Sequence, residues 1–428
     1  MAFANIKPFK ALVYNPEKIK DLSRVVCPPY DVISASEQEY YFNLDVHNFI
    51  HVLLRKDTAG EDKYKRAGVI FREWQKEGIL RRDEKPAVYF YSQQYIVRGE
   101  KRTRLGFIAL LRFADQDSSV FGHENTRKLA KEDRARLLQE VKANLSPIFS
   151  IFFDRKRIIA RVFEKQITGV IPCVDVTDKE KTRHKLWRID SPELLAQIEE
   201  SLSGEDIFIA DGHHRYEVAC NYRDEMKDKL GPAYTGTEPF NYVLSYFTNT
   251  DPRGLLIMPI HRLIALDKQF NFESFSSELK KYFDIDEIKD KTKFFFLMEK
   301  GGRTEHVIGM YKDKKYYLLR LKNVTILDKE IRNKPHEYKT LDVCILNTLV
   351  LQKILGLDAE NKEIIKFSPY HEEFVREVDA NPLLIAFFMN PVRFEQIASL
   401  ALKGERMPSK STYFYPKVLS GLVVNKLE

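Results

Sequence analysis

The apolar run Ile207-Phe208-Ile209-Ala210 stops at Asp211-Gly212, and from His213 onward Tyr216, Ala219, Cys220 and Arg223 recur at helical spacing. This change of period predicts a short buried strand, a tight turn and a helix, with Asp211 at the carboxyl end of the strand. Comparable changes punctuate the rest of the chain. The runs at 87–91 and 105–111 predict paired strands joined near Arg98-Gly99-Glu100. Ser34, with Glu37 three residues later, predicts a capping box at a helix start, and helical patterning resumes over roughly 61–78 around Trp74. A charged helix with the apolar stripe Leu137, Val141 and Leu145 follows Gly122-His123-Glu124-Asn125-Thr126, and a buried strand follows Pro147. Residues 184–188 predict another strand and 191–202 a helix.

Beyond residue 260 the pattern predicts a helix over 272–283. Strands at 294–297, 306–311 and 316–319 then form a three-stranded meander, with turns at Gly301-Gly302 and Lys312-Asp313-Lys314-Lys315. An apolar helix over 340–355, a strand from Leu383 to Met389 and a helix to Leu402 complete the series. The fold class expected is α+β, with mixed sheets, packed helices and a small antiparallel β-meander subdomain. Four segments are expected: 1–115, a mixed N-terminal α/β region; 116–259, a core holding the Asp-Gly corner; 260–328, the meander; and 329–428, a C-terminal α/β region completing the core.

Composition narrows the partners. The net charge of +7 comes from 69 basic and 62 acidic residues that are interspersed, so it suits a small anionic ligand and establishes no nucleic-acid footprint. No run approaches a membrane span and the first residues lack a signal-peptide pattern. Cys27, Cys173, Cys220 and Cys344 are scattered without Cys-x-x-Cys spacing, which argues against a disulfide framework or structural zinc and for a reducing cytoplasm. The oligomeric state stays open.

The Asp-Gly corner carries the densest candidate chemistry. Helix-start N–H groups after Gly212, the positive end of the helix dipole and Arg215 make an anion site. Asp211, His213 and His214 add groups that handle protons or a metal. His123, Glu124, Asn125 and Thr126 offer a base, a metal ligand and polar donors, and Lys131 and Arg134 are expected near the Glu124 helix face, within reach of a polyanion. Lys128 and Arg136 read as solvated. The tail Arg406-Met407-Pro408-Ser409-Lys410-Ser411-Thr412-Tyr413-Phe414-Tyr415-Pro416-Lys417 is basic and hydroxyl-rich. It reads equally as a phosphate clamp through Lys410 or as an ordered strand. The Pro28-Pro29-Tyr30-Asp31 turn reads as scaffold, with Asp31 an outside candidate. The remaining histidines, His47, His51, His261, His306, His336 and His371, sit in no constellation and read as structural.

Four segments resemble the signature of the domain-of-unknown-function 1015 family: Pro-Pro-Tyr-Asp-Val from Pro28, His-Glu-x-Thr from His123 with Asp133-Arg134, Ala-Asp-Gly-His-His-Arg-Tyr from Ala210, and the tail through Lys417. The corner also resembles the phosphate-binding box of the ParB/sulfiredoxin superfamily, especially its free-serine kinases. That resemblance implies a ParB/sulfiredoxin-like core, with Asp211, Gly212, His213, His214 and Arg215 at nucleotide phosphates. It also implies a kinase phosphorylating a small hydroxylated metabolite, free L-serine first, with ATP or ADP as donor. Glu124, Asp211 and His213 are then the expected catalytic residues, with Glu124 inferred as the base. Asp211 and Glu124 would hold Mg²⁺, while His123, Thr126, Lys131, Arg134 and Lys410 would assist at the phosphates. No Gly-x-x-x-x-Gly-Lys-Ser/Thr loop is present. Two alternatives remain: a ParB-like nucleotide switch or DNA-associated module, weakened by the lack of a helix-turn-helix pattern, and a metal-dependent hydrolase using His123, Glu124, Asp211, His213 and His214. A sulfiredoxin-type reductase is disfavoured because His213 stands where that box has its cysteine.

Overall fold

Arg98 and Gly99 both take positive φ, 52° and 80°, the geometry of a two-residue hairpin whose twist matches its strands. In the computed structural model, which describes residues 6–113, 119–126, 128–361 and 363–428, this hairpin joins the two long strands at the centre of the first sheet. The contact pattern divides the chain into a first unit, Met1–Gly122, Thr126–Leu256 and Pro416–Glu428, and a second, His123–Asn125 and Ile257–Tyr415.

The first unit is built on a mixed nine-stranded sheet. Its strands are β1 (Ile6–Lys7), β2 (Val88–Val97), β3 (Glu100–Arg112), β4 (Val120–Gly122), β5 (Ile148–Phe152), β6 (Val174–Thr177), β7 (Arg183–Ile189), β8 (Ile207–Asp211) and β9 (Tyr242–Asn249). The order is β4-β8-β5-β9-β3-β2-β7-β6, with β1 also paired to β3. The pairs β4–β8 and β5–β9 are parallel, whereas β8–β5, β9–β3, β3–β2 and β2–β7 are antiparallel.

Helices α1 (Ala35–Leu44), α2 (Lys63–Lys76), α3 (Lys128–Val141), α4 (Pro192–Leu202) and α5 (His213–Leu230) belong to this unit. The Ser34–Glu37 capping box forms as its spacing predicts, with Ser34 N–H donating to Glu37 at 3.0 Å and Glu37 N–H to Ser34 Oγ at 3.3 Å. The core under the sheet gathers Phe90, Phe107, Phe152, Trp187, Ile209 and Phe247, with Tyr216 and Cys220 of α5 packed against it.

The second unit holds a six-stranded antiparallel sheet. Its strands are β10 (His261–Ala265), β11 (Phe283–Ile288), β12 (Val307–Lys312), β13 (Lys315–Leu321), β14 (Ile365–Ser368) and β15 (Leu384–Phe388), in the order β11-β13-β12-β15-β10-β14. Helices α6 (Phe272–Leu279), α7 (Lys291–Gly301), α8 (His371–Ala380) and α9 (Phe394–Leu402) accompany it.

The α+β class and the mixed sheet match the sequence expectation, but three particulars change. Residues 294–297 are not a meander strand; they lie in α7, started by Asp290, whose carboxylate accepts from Lys293 N–H at 2.6 Å. Phe294 and Met298, four apart, are buried there while Phe296 is exposed, which is a helical face rather than an alternating strand. The third meander strand is instead Phe283–Ile288, because the predicted 272–283 helix ends at Leu279. The expected boundary at 328/329 is crossed by the pairing of β12 with β15, and the boundary at 115/116 lies outside the described residues. No helix among the described residues is long and apolar enough to cross a membrane.

At the sheet centre Gly106 faces β9 so closely that an added Cβ would lie 2.2 Å from the Phe247 carbonyl oxygen and 2.6 Å from the Tyr246 ring. Gly106→Ala should therefore cost about 1–3 kcal/mol, the usual range for overpacking, read as a lower urea midpoint at constant slope. An unchanged midpoint would show that the strands part at no cost.

Candidate functional site

Strand β8 delivers Asp211 to its carboxyl end through a register shift between Ile209 and Asp211 against β5, a bulge that re-aims the last side chain. Gly212 then turns the chain at φ +89° and caps α5 without any side-chain acceptor. The turn requires glycine twice over. The positive φ disfavours an L side chain, and a Cβ there would sit 2.9 Å from the Arg215 guanidinium carbon. Arg215 therefore folds back over the turn. Its Nη2 donates to Asp211 Oδ2 at 3.1 Å and its Nη1 to the Pro147 carbonyl at the head of β5. Its Nε is buried with no hydrogen-bond partner among the described residues.

A second cation completes the corner. Lys417 Nζ donates to Asp211 Oδ1 at 3.1 Å, although the two residues are 206 positions apart. Asp211 is thus held on both oxygens, one by each cation. Burial pushes its carboxyl upward, but Lys417, Arg215 and His213 outweigh burial and hold it at about 2. Two cations against one carboxylate leave the corner positive at a helix start, which is the electrostatic requirement for an anion site.

Lys417 is itself anchored. Gln93 Nε2 donates to the Lys417 carbonyl at 2.8 Å, and Arg104 donates to the Pro416 carbonyl. Arg104 is 1 % exposed; its Nε reaches Gln93 Oε1 at 3.0 Å and its guanidinium lies over the Phe149 ring at 4.5 Å. Lys417, Gln93 and Arg104 were not singled out by the sequence, although Lys417 closes the tail motif.

The other expected residues fall into separate groups. His213 is buried with its ring over Gly122, where a Cβ would approach Cδ2 to 3.3 Å, and His214 is half-buried. Thr126 and Lys131 both turn to Glu217, one helical turn after His213, with Lys131 Nζ at 3.2 Å. Arg134 is buried; it donates to Asp133 Oδ2 at 2.7 Å and the Leu53 carbonyl at 2.9 Å, and stacks on Tyr30 at 4.2 Å. Tyr30, Arg134, Ser146 and Arg215 line a cavity of about 60 Å³. Burial pushes the Tyr30 hydroxyl up, with Asp31 and Asp211 adding to burial and Arg134 and Arg215 opposing it. The Pro28-Pro29-Tyr30 turn therefore contributes Tyr30 to the corner, where the sequence offered Asp31.

His123, Glu124 and Lys410 belong to the second unit. The described α3 starts at Lys128, so Glu124 is not on its face; Glu124 forms a parallel bridge with Met407 instead. Met407 N–H donates to the His123 carbonyl at 2.7 Å, and His123 Nε2 lies 3.3 Å from Thr412 Oγ1. Lys410 has an exposed side chain, and its carbonyl accepts from Arg262 at 3.0 Å.

Asp211 as it stands is a poor magnesium ligand, because both its oxygens are engaged by cations; a magnesium ion carried on nucleotide phosphates needs only one or two protein carboxylates. The Cys220 thiol is pushed up to about 12, chiefly by burial, and is no nucleophile. All four cysteines are free.

The chain belongs to the family described as protein of unknown function (DUF1015), whose family model matches residues 6–344. Among curated proteins nothing matches. Among solved structures, it is similar to a free serine kinase variant in complex with ADP (12% identity, TM-score 0.34, 70% of this chain and 88% of that chain). It is also similar to a conserved hypothetical protein from Pyrococcus furiosus (12%, TM-score 0.32, 70% and 89%). A third is SbnI with a C-terminal truncation from Staphylococcus aureus (11%, TM-score 0.35, 74% and 86%).

The charge arrangement has a testable sign. Asp211 is depressed in the folded state, so its stabilisation is complete above its unfolded pKa of about 3.9 and fades as pH falls towards 2. Lys417→Met should cost about 3 kcal/mol at neutral pH, the lower end for breaking a buried pair, because Arg215 still faces Asp211. Urea unfolding should show this gap narrowing as pH drops from 4 towards 2. A gap that stays constant would mean that Lys417 acts through packing alone.

Proposed function

We propose that this chain is a nucleotide-dependent phosphotransferase acting on a small hydroxylated metabolite, with free L-serine as acceptor and ATP or ADP as donor. The observation that carries the reading is the Asp211 corner, where Lys417 and Arg215 converge beside a helix start capped only by glycine. Phosphoryl transfer concentrates negative charge on the oxygens of the moving group, and catalysis is largely positioning and charge stabilisation. Lys417 and Arg215 supply that charge. Asp211 sets their geometry rather than binding a metal, and the first amides of α5 point along the helix axis at the same place.

In the reaction the acceptor hydroxyl oxygen attacks the terminal phosphorus of the donor. The new O–P bond forms as the bond to the nucleotide's leaving oxygen breaks, and the hydroxyl proton passes to a carboxylate base, a role proposed for Glu124. The phosphate-box resemblance supports the same reading and is the ground for proposing a ParB/sulfiredoxin-like core in residues 116–259.

Purified protein incubated with ATP or ADP, Mg²⁺ and a pool of free amino acids, followed by mass spectrometry, should yield O-phosphoserine. Lys417→Met should lower the yield by about 10²-fold or more, as loss of a preorganised charge-stabilising donor does, while thermal melting reports how much protein stays folded. Nucleotide binding or hydrolysis with no phosphorylated product would favour a ParB-like switch, and no nucleotide interaction would discard both. Glu124→Gln should retain nucleotide binding and lose about 10²–10⁴-fold in turnover; full activity would remove Glu124 from the base role.

A further inference from the structure

The second unit encloses a cavity of about 280 Å³ that lies apart in sequence from the Asp211 corner. Arg262, His306, Asp342, Asn390, Arg393 and Ser411 are among its lining residues. Arg262 decides its character. The residue is 2 % exposed, on β10, and its guanidinium donates only to the carbonyls of Ile260 and Lys410. Its Nε has no hydrogen-bond partner among the described residues, and its guanidinium lies over the Phe367 ring at 5.5 Å. Burial pulls its pKa down to about 10, with Cys344 and Glu360 opposing it. A buried cation without a counter-ion is costly, and one bordering a cavity is balanced by an anion that enters it.

The remaining groups narrow the anion. Arg303 is taken up by Glu299 at 3.2 Å and Glu305 by Arg320 at 3.4 Å. That leaves Arg262, the exposed Arg393 and the Asp342 carboxylate as the lining charges not taken up by these ion pairs, with Arg393 acting electrostatically on Asp342. A small molecule that carries a carboxylate for the arginines and, at its other end, an ammonium or hydroxyl for Asp342 meets both signs of charge, whereas a dianionic phosphate brings its charge to the carboxylate as well. Asp342 is fixed by His306 Nδ1 at 2.9 Å and by Asn390. Asn390 is pinned in turn, donating to the Val307 carbonyl at 3.0 Å and lying where a Cβ on Gly302 would come within 2.3 Å. These are acceptors and polar groups held in place before any ligand arrives, suited to an ammonium or hydroxyl on the same small molecule.

We propose that this cavity binds a small carboxylate metabolite, an amino acid or a hydroxy acid, with its carboxylate on Arg262 and Arg393 and its ammonium or hydroxyl on Asp342. The site is distinct from the Asp211 corner and does not rest on the phosphotransferase reading.

The test is calorimetric titration of the full chain with L-alanine, L-threonine, L-aspartate, L-lactate, L-malate and inorganic phosphate. At least one carboxylate should bind saturably, and Arg393→Gln, a surface change that leaves the core untouched, should weaken it about tenfold, the effect of losing one charge-assisted contact. Arg262→Gln should weaken it further, and Lys417→Met should leave it unchanged. Binding by phosphate alone, or by no carboxylate, would overturn the proposal. So would carboxylate binding that Arg393→Gln leaves intact or that Lys417→Met abolishes.

Discussion

A single carboxylate, Asp211, held between Lys417 and Arg215, organises the first unit around it. Its two oxygens fix two cations that would otherwise repel each other across the Gly212 turn. Each cation has its own support: the Pro147 carbonyl for Arg215, and the backbone clamp of Gln93 and Arg104 for the segment carrying Lys417. Taking charges out of water is expensive, and the arrangement is tolerable only because each member has a partner on a rigid element. The absence of a Cβ at Gly212 is part of the same constraint, since it lets the guanidinium close over the turn.

The motifs that mark the family sort into two clusters. Tyr30, the Asp133–Arg134 pair, the Asp211 corner and Lys417 share the first unit. Tyr30 lies against Arg134, and Tyr30, Arg134 and Arg215 line one small cavity. His123 and Glu124 share the second unit with the tail from Arg406 to Phe414, joined by the Glu124–Met407 bridge and the His123–Thr412 contact. Within the first unit the conspicuous polar residues are paired with partners of the same unit. Asp133 holds Arg134, Glu217 holds Thr126 and Lys131, and Asp211 holds Arg215 and Lys417.

The strand, turn and helix around Asp211 were legible because local chemistry alone dictates them: an apolar run, an Asp-Gly break and a helical period. The capping box at Ser34 was legible for the same reason. Lys417 as the partner of Asp211 was not, because nothing local couples residues so far apart, and Gln93 and Arg104 stand among other polar residues, Ser92, Gln94 and Thr103, from which no local pattern separates them. Residues 294–297 misled because a short aromatic run has no period of its own; only the burial of Phe294 and Met298 beside the exposed Phe296 distinguishes helix from strand. Lys410 drew notice as a charge, yet its contribution is a backbone carbonyl, which no side-chain pattern reveals.

The placement of Pro416–Glu428 in the first unit has a consequence for how the protein is made. During synthesis β8 and the start of α5 leave the ribosome while Lys417, 206 residues downstream of Asp211, does not yet exist. The first unit cannot close as a nascent domain, because the ribosome must first complete nearly all of the second. Until then Asp211 has one cation instead of two, and the backbone groups of Asn144, Cys27 and Leu12 that pair with Asn425, Ser420 and Val424 stay open to water. Closure of the Asp211 corner therefore waits for Lys417 to be made, and is timed by that distant segment rather than by the folding of β8.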